Sequence, residues 1–209
     1  MHAQDEVQLS FDLGTGPDGL LYLPDFLDAD EERALVAQMD GVEWHAVVMH
    51  GQAAKRTVAH FGVTYGYDSW SLAEAPPLPP WAEPLAPRVA AAMHEPPNAL
   101  GQLLVSRYPP GARIGWHRDA PMFGPTVAGL SLGGACELKL RRKRAGGFDE
   151  HALTLAPRSL YVLGGAARTD WQHMIPPVRA LRYSLTFRTL KPGATPSRVD
   201  LRRRGDVRG

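Results

Sequence analysis

Arg182-Tyr183-Ser184-Leu185-Thr186-Phe187-Arg188 is the stretch that decides the fold. A period of two puts Arg182, Ser184, Thr186 and Arg188 on one face of a strand, with Tyr183, Leu185 and Phe187 on the other. Such a strand has two readings. Either its charged face lies in water, or that face lines a barrel cavity where two guanidiniums grip a dicarboxylic ligand through charge-assisted, bidentate hydrogen bonds. Working outward, the chain from Leu100 onward reads as strand and turn, with candidates Gln102–Tyr108, Thr126–Leu132, Cys136–Arg142, Ala152–Leu155, Ser159–Leu163 and Arg182–Leu190. Short strands in this number, set apart by Gly/Pro turns, indicate a β-sandwich or a barrel-like roll. The 21 Gly and 19 Pro among 209 residues fit many turns better than a helix bundle.

The first half adds helices. Leu21-Tyr22-Leu23 before Pro24 reads as a short strand, and Asp28 then caps a helix to about Met39, with Asp30, Glu31 and Glu32 in its first turn. A second helix is expected over Glu83–His94, with Pro84 near its start and Pro96-Pro97 beyond its end. Between them, Lys55–Tyr67 alternates as one or two strands, and Ala75–Pro80 is a stiff connection. From Lys191 on, Arg198, Arg202, Arg203, Arg204 and Arg208 with few apolar residues describe a loose basic tail.

Composition sets limits on function. Hydrophobic residues make up 44% and charged ones 22%, as in a globular protein. The single cysteine, Cys136, excludes an intrachain disulfide and any multi-cysteine metal site. The 17-residue uncharged stretch Ala120–Cys136 is too rich in Gly and Pro for a membrane span, and the acidic N-terminus lacks the apolar core of a signal peptide, so a cytoplasmic protein is expected. The net charge of +1 hides an asymmetry: residues 1–100 carry 4 basic and 15 acidic side chains, residues 101–209 carry 19 and 7. A second half at +12 hints at an anionic partner, or is simply one end of a dipolar surface.

His117-Arg118-Asp119 is an H-x-D, which on a strand turns an imidazole and a carboxylate to the same side. His173 follows Trp171-Gln172 and precedes Met174-Ile175-Pro176-Pro177. Two histidines and a carboxylate make the facial triad of non-haem Fe(II) oxygenases, and chance poorly explains that triad together with an arginine-lined strand.

With Arg107-Tyr108-Pro109-Pro110-Gly111, Ser131-Leu132-Gly133 and Pro157-Arg158-Ser159-Leu160 added, the order and spacing over residues 100–190 resemble the AlkB family of Fe(II)/2-oxoglutarate dioxygenases. The resemblance implies a mostly β protein with flanking helices (α+β), built on a double-stranded β-helix or jelly roll. The implied division is an extension at 1–20, N-terminal helices and a nucleotide-recognition lid at 21–95, the dioxygenase core at 96–190 and a basic tail at 191–209, with 20–190 a single domain. It implies Fe(II) on His117, Asp119 and His173, and 2-oxoglutarate on Arg182 and Arg188, with Tyr108, Ser106 and Ser184 at the co-substrate. With O2, 2-oxoglutarate would become succinate and CO2 while an N-alkyl carbon is hydroxylated, its unstable hemiaminal releasing an aldehyde.

Family members often have Asn where Ser106 and Ser184 stand, and DNA-repairing members usually follow the H-x-D with a further acidic residue, where this chain has Ala120-Pro121. The stretch from His117 to Leu132 looks closer to branches acting on RNA or on unsettled substrates. Tyr65 and Tyr67 fall where relatives place residues near the base, Trp116 and Arg118 adjoin the motif, and Trp44, His60, Phe61 and Trp70 are further aromatic candidates whose alternative role is core packing. The expected partner is alkylated DNA or RNA, read by a monomer without membrane attachment. Alternatives are the same chemistry on tRNA, protein or a small molecule, or a non-catalytic nucleic-acid-binding or metal-sensing β-barrel.

Overall fold

In a computed structural model, which describes residues 16–49, 52–66, 71–194 and 196–197, the chain enters through strand β1 (Leu20–Leu23) and helix α1 (Ala29–Gln38). Asp28 caps α1 through the backbone N–H groups of Asp30 and Glu31, and the Glu31 carboxylate accepts from the N–H of Asp28. This reciprocal box satisfies donors that no helical carbonyl reaches. Next come β2 (His45–Met49), β3 (Gln52–Phe61), β4 (Val63–Gly66), β5 (Ser71–Glu74) and helix α2 (Leu85–Ala92). β6 (Leu100–Tyr108), β7 (Ile114–His117), β8 (Phe123–Gly133), β9 (Cys136–Arg144), β10 (Gly147–Leu155) and β11 (Leu160–Leu163) follow. The short helix α3 (Gly165–Thr169), β12 (Gln172–Ile175) and β13 (Arg182–Leu190) complete the fold.

The strands form a seven-stranded sheet, β1-β11-β8-β13-β6-β3-β2, and a four-stranded sheet, β10-β9-β12-β7. A separate hairpin, β4-β5, stands beside them. The double-stranded β-helix expected from the sequence is the fold observed. β13 sits inside the large sheet, antiparallel to both β6 and β8. Tyr183, Leu185 and Phe187 join Leu35 of α1, Leu85 and Val89 of α2, and Met93 just beyond α2, in one apolar core behind that sheet. The opposite face of β13 turns inward toward the small sheet. A second core of Leu138, Leu140, Leu155, Leu163, Trp171 and Ile175 closes the space between the sheets.

The N-terminal strands are built into the large sheet. β1 pairs with β11, and β3 pairs with β6, so residues 20–61 extend the large sheet at both edges. Only β4-β5 stands apart, and Gly62 makes the departure possible: at φ +78°, a Cβ there would come within 2.3 Å of the Gly101 carbonyl oxygen. The segment after β13 is anchored where a loose tail was expected. Lys191 N–H donates to the Met122 carbonyl, and Ser197 bridges Ala73 of β5. The arginines from 198 on lie outside the described residues, as do Tyr67 and Trp70. No described helix is long and apolar enough to cross a membrane.

Candidate functional site

The two histidines meet because their strands pair. His117 of β7 lies directly opposite His173 of β12, and the ring centroids are 4.2 Å apart. Asp119, two residues past β7, brings Oδ2 to 3.7 Å from His173 Nε2, while its Oδ1 accepts from the Arg188 guanidinium. The second Arg188 branch donates to Gln102 Oε1 at 2.7 Å. All three side chains are buried or nearly so, yet no His/Cys/Asp/Glu group of three or more closes round one point among the described residues. In this arrangement Arg188 holds one oxygen of Asp119.

The donor chemistry nevertheless fits a divalent cation. His117 Nδ1–H donates to the Gly115 carbonyl at 2.9 Å, which leaves the Nε2 lone pair free. Burial, outweighing the attraction of Asp119, pushes His173 down to about 4 and lowers His117 as well, so both rings are neutral at physiological pH. Burial alone would raise the Asp119 carboxyl, but Arg188, His173, His117 and Arg168 together hold it well below the usual carboxylate range. Two neutral imidazoles and one ionised carboxylate are what a hard-to-borderline divalent ion accepts.

Arg182 poses the opposite problem. It is 0% exposed, and among the described residues its side chain makes one hydrogen bond, from Nη2 to Ser131 Oγ at 3.1 Å. Nε and Nη1 are buried without a partner, and no carboxylate forms an ion pair with it among the described residues. A buried guanidinium left in this condition costs several kcal/mol, on the order of an uncompensated ion, unless an anion completes it. Its charge lies 5.3 Å from the Tyr108 ring centroid, and Arg56 stands 5.8 Å from the same ring while donating to Ser106 Oγ at 3.1 Å. Ser184 is buried between Ser106 and Ser131 in register. The unpartnered nitrogens of Arg182 therefore fit the anionic end of a small molecule.

Outside Asp119, a cavity of about 580 Å³ opens between the hairpin and α3, lined among others by Tyr65, Arg118, Phe123, Arg168 and Lys191. Tyr65 meets Phe123 edge-on at 6.3 Å. Arg118 also donates to the Asp170 carbonyl at 2.9 Å. Trp116 is elsewhere: it turns to the outer face of the small sheet, where Arg141 stacks 4.3 Å from its ring and 4.6 Å from that of Phe148. Trp44 and Phe61 pack in the core, against Tyr183 and Trp81. His60, on the inner face of β3, is pushed down to about 4 by burial and by Arg188 and Arg56.

Sequence reasoning missed Arg56, Gln102, Ser131, Tyr161 and Arg168. Gln102 was within reach, since period two from Tyr108 through Ser106 leads to it. Tyr161 lies across Gly129, where a Cβ would sit 2.3 Å from its ring, so glycine admits it to the core between the sheets. Arg168 is buried and donates to the carbonyls of Asp119 and Ala120 at 3.2 and 3.1 Å, which fixes the turn that presents Asp119.

Comparison with known proteins agrees with this geometry. The chain belongs to the 2OG-Fe(II) oxygenase superfamily, whose model matches residues 19–188, and within it to the AlkB family. It is 30% identical over 186 residues to an Arabidopsis thaliana protein described as an alkylated DNA repair protein ALKBH8 homolog, covering 76% of this chain and 51% of that one. It is 29% identical over 170 residues to the Xenopus tropicalis tRNA (carboxymethyluridine(34)-5-O)-methyltransferase alkbh8, covering 77% of this chain and 26% of that protein. The chain thus spans about half or less of the length of these relatives. Among solved structures, OsALKBH1 superposes with a TM-score of 0.66 at 17% identity, over 84% of this chain and 99% of that one, a likeness of fold.

Proposed function

We propose that this chain is an Fe(II)- and 2-oxoglutarate-dependent dioxygenase that oxidatively dealkylates N-alkylated bases in DNA or RNA. The observation that carries the reading is Arg182, a fully buried guanidinium with two unpartnered nitrogens, on the same face of β13 as the Arg188 that holds Asp119 beside His117 and His173. Fe(II) bound by those three side chains would supply the activation of O2, with one oxygen atom entering succinate as CO2 leaves and the other inserted into a substrate C–H bond. On an N-alkyl carbon, the hemiaminal then collapses by C–N cleavage, leaving the proton on nitrogen and releasing an aldehyde.

The chain's own residues supply position and charge. Arg182 takes a carboxylate of 2-oxoglutarate through a charge-assisted pair, with the Tyr108 hydroxyl, Ser106 and Ser184 beside it. Arg188 keeps Asp119 ionised and oriented toward His173, and reaches the co-substrate from the other end. Gly115 sets the tautomer of His117. Tyr65 and Arg118 line the cavity a flipped base would enter. The buried walls exclude water from the reacting centre.

Succinate release from 2-oxoglutarate should require iron and disappear in His117→Ala and in Asp119→Ala; full turnover in either variant contradicts the assignment. Aldehyde release on panels of methylated DNA, RNA and peptide identifies the target. The printed names of the two relatives favour nucleic acid, and the second of them supports tRNA as the alternative substrate.

A further inference from the structure

The cavity beside Asp119 has a charge that its position does not require. Three cations line it: Arg118, Arg168 and Lys191. Asp119 is the sole carboxylate among the described lining residues, and it is already committed to Arg188 on one oxygen and faces His173 with the other. The remaining walls, Tyr65, Ala120, Pro121, Phe123 and Pro125, are mostly apolar. Arg168 is 8% exposed, forms no salt bridge with a carboxylate among the described residues, shares the field of Asp119 with Arg188, and keeps a buried Nε with no hydrogen bond. Its two other nitrogens donate only to main-chain carbonyls, which leave its charge in place. An apolar slot whose three cations face a single carboxylate, itself already paired with Arg188, is suited to an oxyanion.

Resting on the dioxygenase reading above, we infer that the group entering this cavity carries an oxyanion close to the carbon that is oxidised, and that cationic alkylated bases are poor substrates. Bases such as 1-methyladenine are positively charged at neutral pH. They would have to sit among Arg118, Arg168 and Lys191 with no free carboxylate on the described walls to offset the repulsion. A carboxylate on the modified base, or the phosphate next to it, meets the same cations favourably. Both sources present the same chemistry, a planar or tetrahedral oxyanion to guanidinium and ammonium donors.

The test uses the full chain loaded with Fe(II) and 2-oxoglutarate, and single-stranded oligonucleotides of one sequence. The variable position holds 1-methyladenine (cationic), 3-methylthymine (uncharged) or a carboxymethyl-bearing pyrimidine (anionic), each with ordinary phosphates or with methylphosphonates flanking it. Oxidised product is read by mass spectrometry, and succinate separately. A base carboxylate as the recognised group predicts at least tenfold faster oxidation of the anionic oligonucleotide than of the cationic one, indifferent to the methylphosphonates. A phosphate predicts at least a tenfold loss on methylphosphonate substitution in every oligonucleotide, with the cationic base still the slowest. Fastest oxidation of 1-methyladenine, or equal rates on all three without a methylphosphonate effect, overturns the inference.

Charge reversal checks the cause. Lys191→Glu, an exposed substitution, should shift the anionic-to-cationic rate ratio at least tenfold toward the cation. A ratio is insensitive to the fraction of folded enzyme, so an unchanged value counts against the proposal even if Arg168→Gln fails to fold. Absence of succinate from the unaltered protein in every arm would instead contradict the dioxygenase reading.

Discussion

The two ends of the inner face of β13 carry the same side chain in opposite condition. At one end Arg188 is buried with an ionised carboxylate and an amide oxygen on its nitrogens. At the other, six residues away, Arg182 is buried more deeply with a single serine hydroxyl. Both guanidiniums lost their water on folding, and only one received an anion from the chain. The difference separates structure from function: the Arg188 charge is paired within the polypeptide, although its Nε stays buried without a partner, whereas the Arg182 charge has no anion among the described residues. Tyr183, Leu185 and Phe187 on the other face pay for holding both in place, through apolar burial worth about 1.5–3 kcal/mol per side chain.

That contrast can be broken at either end. Asp119→Ala strands Arg188 as a buried, unpaired charge and should lower the stability of the metal-free protein by about 3–5 kcal/mol in chemical denaturation. Arg182→Met should do the reverse, leaving stability unchanged or higher, because it removes a charge that had no partner; a fall of similar size would mean that Arg182 is satisfied in the folded chain.

Acid sharpens the comparison next. His60 and His173 both lie at about 4 in the folded protein, chiefly through burial, against an ordinary 6.5. The unfolded chain therefore takes up their protons first. Stability of the metal-free protein should fall as pH drops from about 6.5 to 4, by on the order of 2 kcal/mol for each histidine. Below that range the depressed Asp119 carboxyl continues the loss, since it too protonates earlier in the unfolded state. Guanidinium chloride melts at pH 7.5 and 4.5 measure the first step, and His60→Phe should remove part of it. The smallest effect belongs to Arg56→Ala, which gives up one hydrogen bond to Ser106 and should cost about 0.5–1.5 kcal/mol.

Much of this was legible from residues alone because β13 alternates cleanly and spans the bounds its pattern predicts. The cap at Asp28 and the proline boundaries of α2 were legible for the same reason, since their chemistry is local. β7 and β12 were not. Each is four residues long, β7 with Gly115 inside it and β12 stopped by Pro176, and His117 and His173 face one another only through a pairing between strands more than fifty residues apart in sequence. Arg56 and Arg168 escaped notice on similar grounds. One depends on β3 pairing with β6, the other on a five-residue helix too short to leave a periodic signal. Trp116 shows the converse error: adjacency to His117 in sequence placed it at the site, while alternation along β7 turns it to the opposite face.

The central claim is that the unpaired guanidinium of Arg182 awaits a carboxylate of 2-oxoglutarate. Calorimetric titration of 2-oxoglutarate onto anaerobic, Fe(II)-loaded protein tests it most directly. One molecule should bind per chain, and Arg182→Met should weaken that binding by about a hundredfold while the protein stays folded. Equal affinity in the two proteins would contradict the account.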